Sequence, residues 1–343
     1  GATTKFTATQ AAEALNYLAL AGYDAGTSAE VLPSVLNLAA AGGLDLAYAS
    51  DLATDAMAAL GIEASADNLT QFGDQMARAS SKANYSVAQL GEAILTVGGT
   101  AKNLAGGTVE LNTALGVLAN RGIKGAEGGT ALRNMILSLS APTDKAAATL
   151  KSLGVSAFDA EGNLNPLNET FKKLDAAMQS MSQEQKTNVL NNIFNKVDLK
   201  SAEAMLAGCG VEFDNLSASI ASSSGAMQDM ADVQMDNLKG QMTILGSGLE
   251  GLGIQVYEKF ETPMKEAAET AITSVDEVAR NLRSGKLSES VDNLAESTGH
   301  FMEETTALAV KALPKAINAL AAMLRHTKEI KNVTLTAAAA IGT

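Results

Sequence analysis

A chain of 343 residues with 46% hydrophobic content has enough apolar side chains for one large core or two medium ones. Aromatic residues make up only 4% and Trp is absent, so Ala, Leu and Met must fill the interior, which suits closely packed helices better than sheets. The net charge of −13 argues against wrapping DNA or RNA, and the lone Cys209 excludes an internal disulfide and a Cys-based metal site.

From the start of the chain, hydroxyl residues paired with an acceptor three positions on predict helix starts at Thr7 with Gln10, Thr27 with Glu30, Ser86 with Gln89 and Ser182 with Gln185. Glycines predict stops at Gly22, Gly42, Gly61, Gly122, Gly154 and Gly285. Residues 7–153 therefore read as a run of short helices with tight corners. The most informative corner is the run 120–135. An apolar pattern through Val109, Leu111, Leu115 and Leu118 stops at Asn120 and resumes at Leu132, Met135 and Ile136. Gly122, Gly125, Gly128 and Gly129 fall in the gap and predict a structural turn, with Gly122 as its left-handed residue.

The same glycines invite a phosphate-loop reading, which fails on spacing. The lysine of such a loop directly follows its last glycine, whereas Gly129 precedes Thr130 and Lys124 lies upstream. A dinucleotide fingerprint needs a strand in front of the glycines, and a helix stands there. Free amides at the start of the second helix, with Arg133 nearby, leave a weaker anion site as the alternative to a plain turn.

Residues 155–165 break the helical pattern and predict a small β-hairpin, after which Pro166 opens a helix at its first position. The alternation Asp159, Glu161, Asn163 resembles a calcium loop only faintly, because the glycine and the distal Glu are at the wrong offsets. Cys209, between Gly208 and Gly210, reads as a buried thiol. Between 226 and 260 a heptad seam runs through Ala231, Met235, Leu238, Met242, Leu245, Leu249, Leu252 and Val256. It is interrupted by glycines at 240, 246, 248, 251 and 253, so its helicity must come from packing, on its own domain by preference or on copies of itself as a self-association seam.

Thr262 and Pro263 open a further helix, and residues 288–330 form one or two more, bent near Pro314. There Leu313, Ile317, Leu320 and Leu324 share one face, with Lys311, Lys315 and Arg325 opposite as a candidate membrane or partner face. A solvated outer face is the plainer reading, and the two lysines interrupt the only long apolar stretch, so nothing spans a bilayer. The chain begins at Gly1 without a leader and stops within the apolar run Leu335 to Ile341, which suggests a fragment of a longer protein. The only histidines are His300 and His326, adjacent Glu303 and Glu304 point apart, and no nucleophile or metal motif is present. No enzyme, cofactor or metal is expected.

The fold class expected is mainly α: an array of short helices with one small β-hairpin, followed by longer helices with a heptad seam. Its divisions are residues 1–153, an N-terminal array; 154–224, hairpin plus short helices of the same core; 225–285, the heptad-bearing helices; and 286–343, amphipathic helices.

The run Leu118-Ala119-Asn120-Arg121-Gly122-Ile123-Lys124-Gly125, followed by Gly129-Thr130-Ala131-Leu132-Arg133, resembles the central motif of the phage tail tape measure core domain. Residues 13–23, residues 31–41, Ser50-Asp51 with Thr54-Asp55-Ala56, and residues 237–245 agree with the same family in the same order, so the resemblance covers roughly 5–260. Arg121 departs from it, standing where a small residue is expected. The resemblance implies a structural virion protein of a tailed phage, prophage or related contractile particle. It implies that several copies run inside the growing tail tube, that chain length sets tube length, and that the protein leaves ahead of the DNA. Implied partners are other copies of itself, tail tube, distal tail and baseplate hub proteins, tail assembly chaperones, and the host membrane during ejection. The implied location is the tube lumen or tip, and the host cytoplasm during assembly. A membrane-active helical protein that inserts into the host envelope is the alternative. The regular glycine corners add that this segment is folded and that a ruler proper lies outside it.

Overall fold

The computed structural model describes residues 5–237 and single positions between Gly240 and Glu261. The chain divides into two units, Gln10–Asp236 and a second made of Gly1–Thr9 with Asn237–Thr343. Among the described residues the elements are α1 (Ala8–Leu20), α2 (Ala25–Gly42), α3 (Leu46–Leu60), α4 (Ala66–Lys82), α5 (Val87–Val97), a 3-10 segment (Gly98–Asn103), α6 (Gly107–Asn120), α7 (Gly125–Ser140), α8 (Asp144–Ser152), α9 (Leu167–Met178), α10 (Gln183–Phe194), α11 (Leu199–Gly208), α12 (Val211–Ala221) and α13 (Ala226–Met235). The protein is mainly helical, as its composition implied.

Local chemistry sets most of these boundaries. Ser86 and Ser182 form complete capping boxes with Gln89 and Gln185. The pair Thr27 and Glu30 does not, because Asp24 takes the cap of α2 by accepting from the Thr27 amide at 2.7 Å. Thr27 thereby falls inside the helix, and Glu30 instead accepts from the Ala66 amide at the start of α4 (3.1 Å). The stop expected at Gly42 belongs to Gly43, which holds φ +60°. Gly42 serves packing instead, since a Cβ there would sit 3.1 Å from that of Val87.

The small hairpin does not form. Phe158 and Leu164 make a single antiparallel bridge, and no strand is present among the described residues. The Asp159 carboxylate rounds the loop by accepting from the amides of Glu161 (3.0 Å) and Asn163 (2.7 Å). Pro166, which has no N–H to extend a ladder, stands one position earlier than expected, as the residue before α9.

Core side chains come from nearly every helix. Phe72, Phe171, Phe194, Leu38, Leu52 and Met76 are fully buried, and the rings of Phe171 and Phe194 stack with centroids 5.6 Å apart. The most extensive helix pairing is α5 with α7, while α13 packs on α2 and α4, and α12 on α4 and α6. Few large rings are available, so glycines bring the helices close: a Cβ on Gly91 would meet Leu52 at 2.7 Å and one on Gly116 would meet Leu216 at 2.7 Å.

Most of the seam expected from 226 to 260 lies outside the described residues. Helix α13 ends at Met235, and the Asn237 carboxamide oxygen accepts from the Gly240 amide (2.9 Å). Ala231 is buried, Met235 is half-buried and Met242 is exposed; Leu238, Leu245, Leu249, Leu252 and Val256 lie outside the described residues. So do Gly285, His300, His326, Lys311, Lys315 and Arg325. Within the second unit, Ser247 donates to the Phe6 carbonyl (2.7 Å), and the Glu250 carboxylate accepts from the Thr9 hydroxyl (2.7 Å) and amide (3.1 Å).

Candidate functional site

The glycine-rich run is the best-marked feature of Gln10–Asp236, and the structure separates its four glycines. Helix α6 ends at Asn120, and Gly122 adopts φ +83° so that the amides of Gly122 and Ile123 return to the carbonyls of Ala119 (3.0 Å) and Leu118 (3.1 Å). Gly125 already begins α7, seven residues before the apolar pattern resumes, and Gly128 and Gly129 lie inside that helix. At these two positions the sequence signal marks close packing. A Cβ on Gly129 would collide with the Ala93 carbonyl oxygen and lie 2.6 Å from the Thr96 Cβ, so α5 rests directly on the α7 backbone.

The start of α7 does not suit an anion. Glu127 lies in its first turn, and a Cβ on Gly125 would lie 2.5 Å from a Glu92 carboxylate oxygen. Arg133 is directed to the Thr96 carbonyl at 3.4 Å.

Arg121, where the family resemblance led us to expect a small residue, fastens this corner to α12. Its guanidinium donates to both Glu212 oxygens (3.1 and 2.8 Å) and to the Val117 carbonyl (3.1 Å), while Asn120 adds a bond to Glu212 (3.0 Å). The hydrogen bond from Arg121 is the main reason the Glu212 carboxyl titrates below its ordinary range. Room for the guanidinium comes from Gly208, whose Cβ would lie 2.9 Å from an Arg121 nitrogen. Cys209, next to it, is half-buried and not buried as expected; desolvation raises its pKa and its Sγ donates to the Leu206 carbonyl (3.0 Å).

Three further helix starts receive carboxylates from elsewhere in the chain. Asp74 on α4 is buried and accepts from the amides of Gly225 and Met227, each at 2.8 Å, which caps α13. Glu110 on α6 is also buried; it accepts from Gly106 (2.8 Å) and from Leu167 at the start of α9 (2.5 Å). Desolvation raises the Glu110 pKa against the opposing pull of those two amides. Glu30 does the same for α4. Sequence reading missed all three. These carboxylates hold helices in place and are not arranged as a catalytic pair, and no group of three metal-ligating side chains occurs among the described residues.

Residues 1–195 match the family model described as "Phage-related minor tail protein". The chain is 30% identical over 282 residues to the "Tape measure protein" of Pneumococcus phage Dp-1, covering 82% of this chain and 24% of that protein. The chain belongs to the phage tail tape measure family. It is also 26% identical over 279 residues to the "Probable tape measure protein" of Escherichia phage P2, covering 79% of this chain and 33% of that one. A third relative, the "Probable tape measure protein" of Clostridium phage phiCD119, is 26% identical over 227 residues, 66% of this chain and 22% of its own. The chain thus spans about a third or less of the length of these relatives. No solved structure matches it. It is a phage tail structural protein resembling tape measure proteins, a component of the virion tail. Among the described residues no single helix is long and apolar enough to cross a membrane; α2 and α3 pass together only as a pair bent by 117°.

Proposed function

We propose that Gln10–Asp236 is a folded module within a tape measure protein, and that the ruler proper lies outside it. The observation that carries this reading is the length of its helices: α1 to α13 run from nine to eighteen residues, each turned back by a capped corner and each contributing to a shared core. A ruler needs length per residue. A straight helix of this segment's length would extend about 340 Å, whereas the corners at Gly43, Gly61, Gly122 and Gly154 fold it back on itself.

The role is structural. Buried carboxylates, capping boxes and glycine contacts spend the chain's polar chemistry on holding helices. The family supports placement in the tube lumen or at its tip, with copies of this chain, tube and hub proteins and assembly chaperones as partners, and release ahead of the genome. The test is an in-frame tandem duplication of residues 10–236 in the parent phage gene, with tail lengths measured by negative-stain microscopy. A folded module leaves the length of assembled tails unchanged; a ruler segment adds about 340 Å per duplicated copy.

A further inference from the structure

One buried carboxylate ties together two segments that are far apart in the chain. Glu110 on α6 is 4% exposed; its Oε2 accepts from the Gly106 amide (2.8 Å), and its Oε1 accepts from the amide of Leu167, 57 positions on (2.5 Å). Those two amides directly follow the two walls of a cavity of about 740 Å³, formed by residues 102–105 on one side and 163–166 on the other. The carboxylate therefore sets the spacing of the walls. Its two contacts are unequal, because Gly106 is exposed and Leu167 is fully buried. Water can take over as acceptor at Gly106, whereas the Leu167 amide would be left unpaired in the core.

An ionised carboxylate accepts at both oxygens, but a protonated one presents an O–H at one oxygen and keeps its acceptor strength at the other. An O–H set against an N–H opposes two donors, so one proton on Glu110 costs one of the two amide contacts. The smaller loss is on Oε2, beside exposed Gly106. We propose that Glu110 is a proton-operated latch: protonation at Oε2 frees Gly106 and the wall at 102–105, while Oε1 keeps Leu167 and the start of α9 in place. Desolvation, with a smaller contribution from the charge of Glu169 on α9, raises the Glu110 carboxyl above its ordinary 4.5 against the pull of the two amides, so the latch works in mildly acid solution. Among the described residues Glu169 is the one charge that acts on Glu110 across space. On the other elements packed around α6, Glu212 and Asp214 of α12 are paired with Arg121 and Lys172, Glu127 of α7 is paired with Lys200, and Asp74 of α4 is bound to α13. The Lys102 ammonium sits at the end of α3, 3.1 Å from where a Gly61 Cβ would stand. The latch lies wholly within Gln10–Asp236 and goes beyond the folded-module reading, since either could fail without the other.

The test is a pH titration of the isotope-labelled 343-residue protein by NMR, following the Glu110 carboxyl carbon and the amides of Gly106 and Leu167. The carboxyl carbon should titrate with a midpoint above 4.5. Through the same midpoint the Gly106 amide proton should move upfield and its protection against hydrogen exchange, corrected for intrinsic rate, should fall roughly tenfold, the loss of one charge-assisted hydrogen bond. Leu167 should keep both its shift and its protection. Global stability should rise over the same range as the buried charge is neutralised, so local and global readouts move in opposite directions. Glu110→Gln, uncharged at every pH, should leave Gly106 unprotected throughout and abolish the pH dependence; Glu169→Gln should lower the midpoint and retain the release. Both amides losing protection together, neither responding while the Glu110 carbon titrates, or a pH dependence of Gly106 that persists in Glu110→Gln would overturn the latch. The titration of the parent protein decides between these outcomes even if Glu110→Gln does not fold.

Discussion

Replacing Gly129 by Ala sets two opposing effects against each other at one position. Gly129 lies inside α7 with an ordinary helical backbone, so on propensity alone Ala should stabilise the helix by up to about 1 kcal/mol. The added Cβ, however, would overlap the Ala93 carbonyl oxygen and lie 2.6 Å from the Thr96 Cβ and 3.0 Å from the Ala93 carbonyl carbon. Two of those three atoms are backbone of α5 and cannot rotate away. The α5–α7 pairing, the most extensive in the fold, must open by roughly 1 Å, and overpacking of that kind costs about 1–3 kcal/mol, here near the upper end. The net expectation is a loss of about 2 kcal/mol, close to thirtyfold in the folding equilibrium. Urea denaturation followed by circular dichroism measures it. Gly122→Ala is the matched comparison: nothing lies within 4 Å of its added Cβ, but φ is +83°, which costs a similar 1–2 kcal/mol or so for an L residue. Gly122→Asn should recover part of that loss because Asn tolerates the left-handed region, while Gly129→Ser should recover none. An unfolding midpoint for Gly129→Ala equal to or above that of the parent would refute the close-approach reasoning.

The Arg121–Glu212 pair should show a coupling of about 1 kcal/mol at neutral pH in a double-mutant cycle with Arg121→Met and Glu212→Gln, modest because both side chains are partly exposed. Because the folded pKa of Glu212 lies below its ordinary 4.5, that coupling is present above 4.5 and disappears as the pH falls through the lowered value; a coupling independent of pH would contradict the assignment. Glu110 has the opposite sign: burial raises its pKa above 4.5, so its contribution is complete below 4.5 and is lost as the pH rises through the raised value. Glu110→Gln should therefore flatten the fall in stability just above pH 4.5, and an unchanged slope would count against desolvation as the dominant cause. Asp74→Ala strips the acceptor from the buried Met227 amide and the part-buried Gly225 amide and should cost about 2–3 kcal/mol, with hydrogen exchange at Met227 rising sharply; unaltered protection there would show that Asp74 does not hold α13.

What was legible in the chain was what neighbouring residues decide together. Ser86 with Gln89 and Ser182 with Gln185 close their capping boxes within four residues, and Gly61, Gly122 and Gly154 end helices through their own backbone freedom. Caps supplied across space left no local signal. Asp74 serves amides more than 150 positions away, Glu110 reaches the amide of Leu167, and Glu30 that of Ala66. Helix propensity disfavours glycine, so Gly128 and Gly129 point to a turn in the sequence alone. Packing of α5 outweighed propensity there, and the extra helical positions from Gly125 to Ala131 followed. The hairpin failed for a related reason: turn-forming residues between apolar ones fit a hairpin, but Asp159 turns the loop with its side chain and Pro166 ends the extended segment.

Small-angle X-ray scattering of residues 10–236 in solution tests the folded-module claim most directly. A radius of gyration of about 17 Å is the prediction for a folded unit of that length. A rod-like profile extending about 340 Å would contradict it and would place the ruler within this segment.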